Sequence, residues 1–78
     1  MNSFEAGKQA ADTLLKVWNH CKYGGVVAIS TPGGLDFFDV NKTTPSEAIA
    51  FLMDEYGVPI ETVARWCSQV NANNVDFI

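Results

Sequence analysis

Apolar positions along this chain recur first at a helical spacing, then at strand density, then at a helical spacing again. Over residues 3–23, Phe4, Gly7, Ala11, Leu14, Leu15, Trp18 and Cys21 fall on one stripe, which predicts an amphipathic helix. Ser3 is placed to cap it, because a hydroxyl can accept from an amide that the first turn leaves without a partner. Glu5 sits in the first turn, where the helix dipole favours an anion. Asp12 and Lys16 form an i,i+4 pair on the polar face. Gly24 offers a left-handed residue to end the helix.

Residues 26–30 (Val-Val-Ala-Ile-Ser) and 35–40 (Leu-Asp-Phe-Phe-Asp-Val) are rich in β-branched and aromatic residues and read as two strands. Thr31-Pro32-Gly33-Gly34 joins them. Proline at the second position and glycine at the third suit a type II turn, with Gly33 at positive φ. From residue 44 the helical period returns. Thr44, Pro45 and Glu47 form a capping box with proline at the first helical position. Ala48, Ile49, Leu52, Met53 and Tyr56 make the apolar stripe, and Gly57 ends it. Pro59 opens a further helix with Ile60, Val63, Ala64, Cys67 and Val70 inward, stopped by Asn71-Ala72-Asn73-Asn74. The tail, Val75-Asp76-Phe77-Ile78, reads as a short third strand.

The expected fold class is therefore α+β. Residues 1–78 form a single small domain in the order α-β-β-α-α, with a short C-terminal strand and an antiparallel hairpin packed by helices. The hairpin raises a question of coverage. If residues 30 and 35 face each other, one face carries Val27, Ile29, Phe38 and Val40, and the other carries Val26, Ala28, Leu35 and Phe37. An antiparallel sheet wetted on one side normally alternates apolar with polar, and only Asp36 and Asp39 interrupt here. Two strands also leave two edges. Either the helices cover both faces while the tail pairs with an edge, or a second chain does so, as a homodimer or by strand addition. Val26, Leu35 and Phe37 are the expected dimer or edge-strand contacts.

Composition narrows the function. The chain has 78 residues, 47% of them hydrophobic, so a packed core is expected rather than disorder. Nine acids against five bases give a net charge of −4, which disfavours binding to phosphate backbones or anionic membranes. No leader segment or membrane span is expected, because the longest apolar run is only six residues, Ala48 to Met53, far short of the ~20 needed to cross a bilayer. A cytoplasmic location follows, with Cys21 and Cys67 as buried free thiols.

Residues 48–70 have the spacing of a helix-turn-helix. Gly57 turns the chain and Val63, six positions on, is placed to pack the second helix on the first. Met53 departs from the small residue usual four positions before the glycine. Residues 44–78 carry five acids and Arg65 as the one base, so the half that would face phosphate holds the whole charge deficit. A DNA-binding regulator is therefore the alternative, not the leading expectation.

Candidate chemistry is sparse. His20 is the one histidine and suits the C-terminal end of its helix. No CxxC or HxxxH spacing points to a metal, the glycines of the hairpin open no phosphate-binding helix, and Asp36 and Asp39 alternate across a strand. No enzyme, metal or cofactor is expected. The expected activity is that of a small regulator or inhibitor that binds a larger protein, of a size that phages and accessory elements encode. Trp66, Arg65 and Tyr56 are the candidate anchors. Asp54, Glu55 and Glu61 bracket the turn between the last two helices as an acidic patch for a basic partner surface. The competing expectation for Trp66 is packing beneath Val75 or Phe77.

Overall fold

The computed structural model describes residues 2–21, 25–70 and 75–76, and structural statements refer to these. They form helix α1 (Ser3–His20), strands β1 (Val26–Thr31) and β2 (Gly34–Asp39), helices α2 (Pro45–Tyr56) and α3 (Ile60–Cys67), and strand β3 (Val75–Asp76). This is the expected small α+β domain, tail strand included. Phe77 and Ile78, the Asn71–Asn74 stop and the Gly24 cap lie outside the described residues.

Helix α1 differs from expectation at its cap and in its buried face. Asn2, not Ser3, is the cap: its side chain accepts from the Glu5 amide at 2.8 Å. Asparagine and serine cap equally well, and Ser3 instead donates to Glu61 Oε2 of α3 at 2.9 Å. The buried face comprises Ala6, Ala10, Leu14, Val17 and Trp18, whereas Phe4 and Leu15 are exposed. The reason is α3. It makes the largest helix–helix interface with α1, and close approach favours small side chains. At Gly7 an added Cβ would lie 3.6 Å from Ile60 Cγ1. The alanine row therefore turns inward, and the row containing Phe4 and Leu15 turns outward.

The hairpin adopts the expected register, with Ser30 opposite Leu35, Val27 opposite Phe38 and Thr31 opposite Gly34 as the last pair. Its turn does not. Gly34, not Gly33, has the positive φ of +113°, so the type II assignment fails. Type I and II turns splay strands against their natural twist, and the positive φ falls instead on the glycine just after the turn. Strand β3 pairs antiparallel with the other side of β1, Val26 opposite Asp76 and Val27 opposite Val75, giving the order β2-β1-β3.

Helix α2 forms as its capping box dictates. Thr44 accepts from the Glu47 amide at 3.2 Å, and the Glu47 carboxylate accepts from the Thr44 amide at 3.0 Å. Gly57 ends it in the left-handed region at φ 61°. Ala48, Ile49 and Leu52 are buried. Helix α3 buries Val63, Ala64 and Cys67. The Trp18 indole N–H donates to the Thr43 carbonyl at 2.6 Å and ties α1 to the β2–α2 connection.

All three helices share one core with the inner face of the hairpin, where Val27, Ile29 and Phe38 are buried. The expectation that helices cover both faces is not met. On the outer face Val26 and Ala28 are half-buried, while Leu35 and Phe37 are 58% and 59% exposed. The physical reason is that α1 packs chiefly on α3, and the hairpin residues buried in the shared core, Val27, Ile29 and Phe38, all lie on the inner face. No helix among the described residues is long and apolar enough to cross a membrane.

Candidate functional site

Strand β2 is one edge of the sheet, with no further strand on its outer side among the described residues. The Val40 amide donates to the Gly25 carbonyl at 3.2 Å, which marks residues 25 and 40 as a hydrogen-bonded pair. Antiparallel ladders alternate such pairs with non-bonded ones. The main-chain groups of Gly34, Asp36 and Phe38 therefore face β1, and those of Leu35 and Phe37 point away from it, into the open edge. The Asp39 amide points the same way, but its carbonyl is taken by the Lys42 and Thr43 amides at 3.0 and 2.9 Å. Its side chain accepts from the Asn41 amide at 2.8 Å. A tight turn thus closes the strand at that end.

Helix α2 forms a wall along this edge. Between them lies a groove of about 400 Å³ lined by Asp36, Phe37, Phe38, Thr43, Glu47 and Phe51. Phe51 is 48% exposed and stands edge-on to the buried Phe38, with centroids 5.8 Å apart and rings at 80°. The groove therefore has an aromatic floor, a carboxylate on each wall and one row of outward main-chain groups.

A second set of contacts braces the tip of the hairpin against the end of α2. The Tyr56 hydroxyl donates to Asp36 Oδ2 at 2.6 Å, and the Thr31 hydroxyl donates to Tyr56 Oη at 2.9 Å. Bonding to the Asp36 carboxylate holds the Tyr56 phenol above its ordinary value near 10, partly offset by the Thr31 hydroxyl. An added Cβ at Gly33 would lie 3.0 Å from Tyr56 Oη, so glycine permits the approach. Trp66 packs edge-on to Tyr56, with centroids 5.4 Å apart.

Of the anchors expected at the α2–α3 turn, Tyr56 and Trp66 come together and are half-buried against each other. Arg65 is exposed on another side of α3, where it lines a small cleft with Gln9, Glu61, Ala64 and Ser68. Asp54 and Glu55 are exposed on α2. Glu61 is half-buried and accepts from Ser3. The alternative contact of Trp66 with Val75 or Phe77 involves side chains outside the described residues. Of the expected edge contacts, Leu35 and Phe37 are exposed and Val26 is half-buried beside β3.

Phe51 is the groove residue that the apolar stripe of α2 passes over. The signal for it was a large apolar residue off that stripe. The Tyr56–Asp36–Thr31 contacts span 20 and 25 positions and have no local signal.

The remaining chemistry is muted. Cys21 and Cys67 are free and buried. Burial pushes the Cys67 thiol up to about 11 and the Cys21 thiol up as well, the opposite of an activated nucleophile. Among the described residues no group of three or more His, Cys, Asp or Glu could hold a metal ion. In the helical pair, Val63 is buried as the spacing anticipates, and Met53 is partly buried against the core. No family model matches the chain, and neither the curated proteins nor the solved structures yield a match.

Proposed function

We propose that the chain is a small, non-enzymatic protein-interaction module, a regulator or inhibitor that works by binding a larger protein in the cytoplasm. The observation that carries this reading is the concentration of exposed large apolar side chains at one place. Leu35, Phe37 and Phe51 stand along or beside an open strand edge, and exposed apolar groups gathered in this way mark contact sites. The reading rests on this edge more than on the α2–α3 turn, where Tyr56 and Trp66 are engaged with each other and with Asp36. Two buried free thiols suit a reducing compartment.

Affinity capture from a lysate of the source cell, with the wild-type chain and a Phe37→Asp/Phe51→Asp variant as baits, tests the reading. A saturable protein retained by the wild type and lost by the folded variant is the expected result. Identical captured sets would contradict it.

A further inference from the structure

We propose that the open edge of β2 receives an extended segment of the partner protein as an added strand, one whose residues alternate between cationic and apolar. This rests on the interaction reading and specifies its chemistry.

Leu35 and Phe37 turn their amides and carbonyls outward from the sheet, and no strand lies beyond them among the described residues. An extended chain laid alongside pairs with both residues, as in strand-addition complexes. Asp39 adds one outward amide before the turn closes the strand.

The pleat then assigns the side chains. Partner residues opposite Leu35 and Phe37 send their side chains to the outer face of the sheet. There they meet two exposed apolar groups, so valine- or isoleucine-like residues fit. Partner residues opposite Asp36 and Phe38 send theirs to the groove side. One meets the Asp36 carboxylate. The other crosses the Phe51 ring toward Glu47, and both carboxylates line the groove. Arginine suits both positions, because its stem and guanidinium plane pack on an aromatic face while its N–H groups bond a carboxylate.

Charge complementarity selects this partner over a second copy. The chain carries −4 overall. Lys42, in the turn after β2, is not among the groove residues. If β2 paired with its own copy so that Leu35 met Phe37, Asp36 would stand opposite Asp36, and like charges directly opposite are unfavourable. An inward-facing acid on an edge strand is a known protection against self-pairing. A cationic segment turns that feature into an attraction.

The test is a titration of ¹⁵N-labelled protein with a synthetic octapeptide of alternating arginine and valine, at physiological ionic strength. The largest shifts should fall on the Leu35, Phe37 and Asp39 amides. Methylating the valine nitrogens, which removes the donors aimed at β2 and leaves every side chain, should weaken binding by at least about tenfold. Replacing arginine by glutamate should weaken it by at least as much. A Phe37→Pro variant removes one outward amide while sparing the β1 ladder. It should lose affinity with its Phe38 amide still protected from exchange. Equal binding of the methylated peptide would overturn strand addition, as would shifts centred on Asp54 and Glu55. If lysate capture depends on Phe37 and Phe51 while the peptide does not bind, strand addition falls and the interaction reading stands.

Discussion

Phe37 and Phe38 are neighbours in one strand and belong to different regions of the molecule. Phe38 is 6% exposed, meets Phe51 edge-on and has its main chain bonded to β1. Phe37 is 59% exposed, and its main chain points out of the sheet. The alternation of a pleated strand makes this division. The inner face joins a core in which Leu14, Leu52 and Val63 are wholly buried. The outer face and edge contribute little to that core. What stabilises the fold and what is available to a partner are therefore separable, residue by residue, along β2.

The widest separation is expected between Leu52→Ala and Phe37→Ser. Leu52 is 0% exposed, and leucine-to-alanine changes at such sites cost about 2–5 kcal/mol through lost transfer energy and the cavity left behind. Urea unfolding should show a loss in that range, a large part of the stability of a domain this small. A loss under about 1 kcal/mol would mean that the core closes over the gap and is not the close-packed region described.

An intermediate effect is expected at the brace between the two regions. Tyr56 is neutral in the fold and its phenol titrates above its ordinary value, chiefly because it donates to Asp36. The folded state thus holds the proton more tightly than the unfolded chain. The resulting stabilisation is complete below about pH 10, where both forms are protonated, and is lost as pH rises through the folded-state value. Tyr56→Phe should lower stability at neutral pH by less than Leu52→Ala. It should also flatten the alkaline decline seen in urea midpoints between pH 9 and 11. An unchanged alkaline decline would show that the bond does not couple the hairpin tip to α2.

The smallest effect is expected at Phe37 itself. Phe37→Ser should change unfolding free energy by no more than about 0.5 kcal/mol, as for surface substitutions away from packed features. A large loss would place Phe37 in the core and erase the distinction between the two faces.

Much of the stabilising region was legible in the sequence. The Thr44–Glu47 capping box, the left-handed Gly57 and the hairpin register follow from short-range rules that few side chains can satisfy. What stayed hidden depended on tertiary contacts. The buried face of α1 turned toward Ala6 and Ala10 because α3 packs there, and no pattern within α1 encodes α3. Asn2 took the cap that Ser3 was expected to hold, which left Ser3 free to bond Glu61. The turn placed its positive φ on the second glycine of a Gly-Gly pair, where either glycine could have taken it. The candidate site was half legible. Leu35 and Phe37 stood out as apolar residues on a face that needed covering. Phe51 and the Asp36 and Glu47 carboxylates joined them only when β2 and α2 came side by side.

Amide hydrogen exchange along β2 tests the central claim most directly. In the free protein, the Phe38 and Asp36 amides, bonded to β1, should exchange slowly, and the Leu35 and Phe37 amides should exchange quickly. Adding the arginine–valine peptide should slow Leu35 and Phe37 selectively. Protection of Leu35 and Phe37 equal to that of Phe38 in the free protein would contradict the account, because the edge would then already be closed.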